Sequence, residues 1–220
     1  DYPNGKDFKT FYPTSVLDTM WDILFFWVAR MIMFGLYLTH EVPFKTVYLH
    51  SMVTDEKGQK MSKSKGNVIN PIDIVNEFGA DALRIALVAG STPGNPIALS
   101  KEKVKGYRNF GNKLWNIGRY ILLQHEAGAK IVELPKKLEK EHIAILKALD
   151  TTTQYITFAL EKYRFSDAAL HLHGFVWNEF ANTYLEKTKG RKDMNETLTI
   201  LVRVFTTCLK LIHPFMPFVT

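Results

Sequence analysis

From Ser100 to Ile212 the chain offers no convincing strand, and its apolar residues recur at threes and fours. Val104, Tyr107, Phe110, Leu114, Ile117 and Ile121 mark one such stripe, which begins at Ser100 as N-cap and runs to about His125. A linker with Gly128 and Pro135 follows. Further helices are predicted over about Glu139–Lys162, from a Ser166 cap to about Lys189, and from about Asn195 to Ile212, where HPFMPF stops the last. Four long amphipathic helices joined by short turns bury their stripes against each other, so the second half reads as a helical bundle.

The first half has a different grammar. Pro13–Thr19 is a short extended or turn segment, Trp21–Leu38 an apolar helix, and Thr46–Met52 (TVYLHSM) a strand. NPIDIVNEFG carries Asn70 as N-cap, Pro71 at the first helical position and Gly79 as stop, and ADALRIALVAG reads as a further helix. Helix, strand, loop and helix indicate an α/β region. Residues 91–99 (STPGNPIAL) break the pattern, which divides the chain into an α/β part, 1–95, and an all-α part, 96–220. Both ends look cut, at DYPNGKD and at HPFMPFVT, as expected of a piece of a longer protein.

Composition narrows the function classes. The chain carries a formal charge of +6, and residues 45–113 hold eleven Lys/Arg against six Asp/Glu. That excess favours phosphate-bearing partners. A single cysteine, Cys208, excludes an internal disulfide framework and suits a reducing, cytoplasmic setting. No CxxC or HExxH spacing occurs, so no structural metal is expected. The apolar run Ile23–Leu38 is 16 residues long and interrupted by Arg30 and Gly35, so it reads as a buried helix and no membrane partner is expected.

The densest charge lies in residues 58–67, GQKMSKSKGN, between two glycines and without helical or strand periodicity. By itself a short lysine run is a solvated loop. Placed after a strand, lysines at i and i+3 with hydroxyls between them suit phosphoryl oxygens, and flanking glycines would let the loop close and open. The pattern is not a P-loop, because no GxxxxGK[ST] is present.

Lys60-Met61-Ser62-Lys63-Ser64 matches the second signature of class I aminoacyl-tRNA synthetases, and VYLHSMVTDEKGQ before it and GNVINPIDIVNEFGADALR after it resemble that signature's surroundings. FYPTSVLDTMWDILFFWVARMIM, STPGNPIALSKEKVKGYRNFGNKLWN, FVWNEFANTYLE and HPFMPF resemble the valyl branch of the family. The resemblance implies the C-terminal half of a Rossmann-type catalytic domain followed by a helical-bundle anticodon-binding domain. It further implies ATP with Mg2+, valine and tRNA(Val) as substrates, with the N-terminal half of the same enzyme, including a HIGH-type signature, lying outside these residues. A fragment of this kind would be inactive alone and at most bind tRNA. Two positions depart from the pattern: Met20 and Trp21 stand where the branch has Gly and an aromatic, and Pro96 replaces a common Asp.

By the same resemblance Lys60 and Lys63 would hold the ATP phosphates and stabilise the transition state, supported by Met61, Ser62 and Ser64. His50 would lie near the adenine and Asp22 on the adenylate ribose, while Ile23 and Trp27, four apart on one helix face, would wall the valine pocket. A pocket of that kind separates valine from threonine only about a hundredfold, which is why the family carries a separate editing domain; none is visible here. Otherwise His50 is structural, Asp22 a helix-terminal cap, and Ile23 and Trp27 core packing. GYRNFGNKLWNIGR interleaves basic and aromatic residues, which suits RNA loops, and Arg108, Asn112, Lys113 and Asn116 are the candidate tRNA contacts. The alternative is a solvated face over core residues Phe110, Leu114 and Ile117. Phe175, Trp177, Phe180 and Tyr184 read as packing. An isoleucyl- or leucyl-type synthetase, against which FFWVARMIM argues, and a non-catalytic helical RNA-binding module remain the rival readings.

Overall fold

The computed structural model describes residues 3–220. The chain runs α1 (Lys6–Phe11), β1 (Thr14–Thr19), a 3-10 turn (Trp21–Ile23), a π stretch (Leu24–Val28), α2 (Ala29–Thr39), β2 (Phe44–Leu49) and β3 (Val53–Thr54). Next come a 3-10 turn (Lys63–Lys65), α3 (Pro71–Phe78), α4 (Ala80–Val88), β4 (Ile97–Ala98), α5 (Lys101–Glu126) and α6 (Lys140–Glu161). The rest is α7 (Phe165–Gly174), a π segment (Phe175–Leu185), α8 (Glu186–Thr188) and α9 (Met194–Ile212). Two compact units result. One comprises residues 1–60 and 91–98; the other comprises 61–90 and 99–220, so α3 and α4 group with the bundle although their sequence is α/β in character.

In the first unit β1 and β2 pair in parallel, with Thr14 opposite Phe44 and Thr19 opposite Leu49, and β3 pairs in parallel with β4. The strand expected at Thr46–Met52 begins two residues earlier and ends at Leu49. Gly35 is required by a close approach, since a Cβ there would meet the Tyr12 hydroxyl at 2.8 Å and Pro43 Cδ at 2.9 Å. The apolar run 23–38 does form a helix, but the expectation that it is buried is corrected. Phe25, Trp27, Met33, Phe34 and Tyr37 are exposed, Tyr37 by 79%, and of the run only Val28 is buried. Two pairs of short strands offer too little surface to cover an apolar helix. By length and composition Trp21–Thr39 could also cross a membrane.

The second unit is organised around α5. Val104, Phe110, Leu114, Ile117 and Ile121 form its buried stripe, as the spacing predicts. It shares one core with Ile145, Leu149 and Ile156 of α6, Phe175 and Phe180 of the π segment, and Leu201, Val204 and Cys208 of α9. Ser100 caps α5 by accepting the Lys103 amide at 3.1 Å, and Asn70 caps α3 by accepting the Ile72 amide. Gly79, at φ +90°, ends α3 and opens α4 in a conformation that L side chains rarely adopt. The expected Ser166 cap is corrected: α7 starts at Phe165, and the Ser166 hydroxyl accepts the Gly90 amide instead. α4 is locked to the end of the chain, where the Asp81 carboxylate accepts the Phe218 and Val219 amides and Arg84 donates to the Pro214 and Phe215 carbonyls.

One polar cluster is built into the bundle. His142 is fully buried, with Tyr184 Oη 2.8 Å from Nδ1 and Asp193 Oδ2 2.9 Å from Nε2. Every group is satisfied when the Tyr184 hydroxyl donates to Nδ1 and Nε2–H donates to the carboxylate. Arg191 donates to both Asp193 oxygens and reaches Glu139. Glu196 completes a group whose His142, Asp193 and Glu196 ligand atoms lie within 4.8 Å of one another, with His142 51 positions from Asp193 and so beyond any spacing motif. The hydrogen bonds already engage both imidazole nitrogens and both Asp193 oxygens.

Two tests follow from the packing. Phe180→Ala removes a side chain with no solvent exposure, so it should cost about 3–5 kcal/mol, read as a lowered denaturant midpoint at unchanged slope. Arg191 above all holds the Asp193 carboxyl well below its ordinary range. A depressed folded-state pKa stabilises the fold fully above the unfolded value of about 4 and ceases to do so as pH falls toward the folded value. Asp193→Asn should therefore flatten the acid side of the stability–pH curve below about pH 4.

Candidate functional site

The basic stretch after β3 is two built turns. Asp55 makes the first: its Oδ1 accepts the Lys57 amide at 3.0 Å and the Gln59 amide at 2.7 Å, while Gly58 takes the positive φ of +74°. The turn returns the chain antiparallel to itself, with Lys60 bridged to Thr54. Ser62 makes the second. Its amide donates to Asn67 Oδ1 at 3.0 Å, its hydroxyl accepts the Lys65 amide at 3.3 Å, and its Oγ lies 3.2 Å from Ser64 Oγ. Gly66 closes this turn in the left-handed region at φ +66°. Sequence periodicity missed both turns because side chain-to-backbone bonds, not apolar spacing, define them.

In the first unit Lys60 Nζ lies 3.8 Å from Asp22 Oδ2. Asp22 Oδ1 is buried with no hydrogen-bond partner among the described residues, an acceptor that a ligand hydroxyl could fill. Asp22 sits in the 3-10 turn that follows β1. Met20, just before it, is extended at φ −103° and ψ 149°, a conformation open to any residue, so this backbone does not itself demand the glycine of related sequences. Ile23 and Trp27 are both exposed. His50 follows β2, donates its amide to the Thr19 carbonyl at 3.0 Å and presents an exposed ring. Nearby on β2, burial and then the Asp18 charge raise the Tyr48 hydroxyl above its ordinary range.

In the second unit Met61 is half-buried, Ser62 partly buried, and Lys63 and Ser64 exposed. The proposed RNA contacts separate by environment. Arg108 and Asn112 line a cavity of about 460 Å3 with Trp115, Phe218 and Met216. Asn116 is exposed on the same helix. Lys113 is drawn into the bundle surface, donating to Asn182 Oδ1 at 3.1 Å with its ammonium 5.5 Å from the Trp177 ring centre. Of the interleaved aromatics, Phe110 is core and Trp115 is exposed.

With this geometry in view, the comparisons are specific. Residues 1–100 match the family described as tRNA synthetases class I (I, L, M and V), and residues 143–220 match the anticodon-binding domain of tRNA ligases. A valine–tRNA ligase of Pelagibacter ubique is 46% identical over 226 residues, covering 100% of this chain and 26% of its own length. One from Dehalococcoides mccartyi is 42% identical over 98% of this chain and 25% of its own. The chain thus spans about a quarter of the length of the curated relatives it matches. Among solved structures, the methionyl-tRNA synthetase of Mycobacterium tuberculosis in complex with methionyl-adenylate superposes with a TM-score of 0.83 at 21% identity, over 99% of this chain and 45% of that one. The LeuRS of Agrobacterium radiobacter K84, in a ternary complex with tRNA and LeuAMS, gives 0.75 at 24% identity, over 94% of this chain and 26% of that one. At these identities the structures speak for the fold.

The first turn is directly testable. Asp55→Ala deletes an acceptor shared by two amides, and the Gln59 amide should exchange with solvent about tenfold faster, followed by hydrogen–deuterium exchange.

Proposed function

We propose that the chain belongs to the class I tRNA synthetases and is the part of a valine–tRNA ligase that carries the phosphate-binding lysines and the body of the anticodon-binding bundle. The observation that carries this reading is the pair of side chain-built turns presenting Lys60 and Lys63, set in a segment that matches the family and is 42–46% identical to valine–tRNA ligases. In the reaction the valine carboxylate attacks the α-phosphorus of ATP, pyrophosphate leaves, and a terminal ribose hydroxyl of the tRNA then takes the valyl group from the adenylate. Mg2+ enters with the triphosphate as part of the substrate.

The residues here would supply positioning and charge. Lys60 and Lys63 neutralise the negative charge that builds on the phosphoryl oxygens, which is the dominant need in transfers of this type. Ser62 and Ser64 hold the second turn, with Met61 between the two lysines. The orphaned Asp22 Oδ1 is a fitting acceptor for a ribose hydroxyl, and engaging it would draw Asp22 toward substrate while Lys60 turns to phosphate. His50 would stand by the adenine, and Ile23 and Trp27 would line the valine side. The exposed apolar face of Phe25, Met33, Phe34 and Tyr37 belongs, in this reading, against the remainder of a Rossmann-type catalytic domain, whose parallel sheet β1 and β2 would join. Arg108, Asn112, Lys113 and Asn116 face the tRNA.

In the complete enzyme Lys63→Ala should lower valine-dependent pyrophosphate exchange by about a hundredfold or more while leaving tRNA affinity nearly unchanged. The 220-residue chain should bind a valine tRNA in preference to one with a scrambled anticodon, measured at two salt concentrations, and should support no exchange by itself. Equal binding of both tRNAs that vanishes with salt would defeat the anticodon reading.

A further inference from the structure

Residues 91–98, which belong to the first unit, are tied to the end of β2. Within them Thr92–Asn95 forms a tight turn: the Asn95 amide donates to the Thr92 carbonyl at 3.0 Å, Pro93 stands second, and Gly94 stands third at φ +76°. That combination is a type II turn, whose third residue needs the left-handed region. Three bonds fasten the turn and its exit to the neighbouring chain. The Gly94 amide donates to the Leu49 carbonyl at 3.0 Å, the Ile97 amide to the Met52 carbonyl at 2.8 Å, and the Ser51 hydroxyl to the Thr92 carbonyl at 3.0 Å. The first two are backbone bonds that most residues could make. The third depends on one side chain, and Ser51 has no place in the lysine turns.

Ser51 also acts on the ring beside it. His50 Nδ1 lies 3.3 Å from the Ser51 carbonyl. A carbonyl only accepts, so the proton of the neutral ring sits on Nδ1 and the Nε2 lone pair is left open. Nε2 has no hydrogen-bond partner among the described residues, and the ring is exposed. The place is the carboxyl end of a parallel strand pair, the end at which open α/β sheets bind ligands. Thr19 stands opposite Leu49 there, and the His50 amide donates to the Thr19 carbonyl. Leu49 and His50 are neighbours in an extended strand and turn their backbone groups to opposite sides. The end of β2 therefore has β1 on one flank, followed by Asp22 with its unpartnered Oδ1, and the Thr92–Asn95 turn on the other. His50 stands between them.

We propose that Ser51 is a positioning residue for the adenine of ATP: its hydroxyl holds the Thr92–Asn95 turn against the end of β2 while its carbonyl sets the His50 ring, so that a fixed wall and an oriented acceptor meet the base. The proposal rests on the synthetase reading above and adds to it a side chain and a turn outside the basic stretch 58–67. Adenine suits the place chemically, because its exocyclic amino group donates toward an acceptor such as Nε2, and Asp22 Oδ1 can take a ribose hydroxyl at the same sheet end. Ser51 itself touches no reacting atom. Its contribution is preorganisation, since a turn already fastened leaves less ordering for nucleotide binding to accomplish. Without the hydroxyl the Thr92 carbonyl still accepts the Asn95 amide, so the turn persists and only its attachment loosens.

The test uses the complete enzyme and valine-dependent pyrophosphate exchange, with ATP and valine varied in turn. Ser51→Ala should raise the KM for ATP about three- to tenfold, the effect of one lost hydrogen bond, with kcat and the KM for valine within about twofold of wild type. Ser51→Thr keeps the hydroxyl and should restore the KM for ATP. By hydrogen–deuterium exchange the Gly94 amide should open faster in Ser51→Ala than in wild type or Ser51→Thr. An unchanged KM for ATP or unchanged Gly94 exchange in Ser51→Ala overturns the proposal and leaves the synthetase reading standing. So does a kcat or valine KM that moves as far as the KM for ATP, or a Ser51→Thr variant no better than Ser51→Ala. A wild-type enzyme that supports no valine-dependent exchange overturns both.

Discussion

The apolar stripe of α5 is the constraint on which the second unit depends. A helix of 26 residues exposes far too much apolar surface to stand alone in water, and its stripe sets where α4, the π segment and α9 must lie. Phe110 and Leu114 sit at its centre, each about 1% exposed, in one core with residues of α6, α7, the π segment and α9. Once that core is closed, the ends of the bundle are fixed too. At one end α4 is fastened to residues 214–219 through Asp81 and Arg84, and at the other the linker lies along α9.

The first unit lacks any such constraint among its described residues. It holds two separate two-stranded parallel pairs, an arrangement that ordinarily persists only with both faces covered. Its most hydrophobic helix accordingly turns an aromatic-rich face outward. An exposed patch of this kind marks an interaction surface, and the charge pattern agrees, since Arg30 is the only ionic side chain from Ile23 to Leu38.

What could be read from the sequence follows the range of the interactions involved. The stripe of α5 and the caps at Asn70 and Ser100 are local and periodic, and each appears in the structure where the residues place it. Ser166 shows the limit of local reading. It has the right chemistry for a cap, yet its hydroxyl is taken by Gly90, 76 positions away. The paired turns at 55–67 escaped because Asp55, Ser62 and Asn67 act through backbone amides, while the signature letters alone located the lysines. Burial of the run 23–38 was misjudged because hydropathy reports what a segment prefers and is silent on whether a surface is at hand to satisfy it. His142 had no legible signal at all, since its partners come from positions 184 and 193.

The π segment at Phe175–Leu185 carries a consequence for how this sequence can vary. A π turn is an α-helix that has accommodated a surplus residue, and each residue advances the helix by about 100°. Tyr184 meets His142 only because the wider turns preceding it have reset the helix phase. Length in that stretch is therefore a quantised setting. Dropping one residue would swing the tyrosine about a quarter-turn off the imidazole, leaving a buried nitrogen unanswered, even if every apolar residue were replaced by another of equal size. Substitutions can drift there, whereas insertions and deletions cannot.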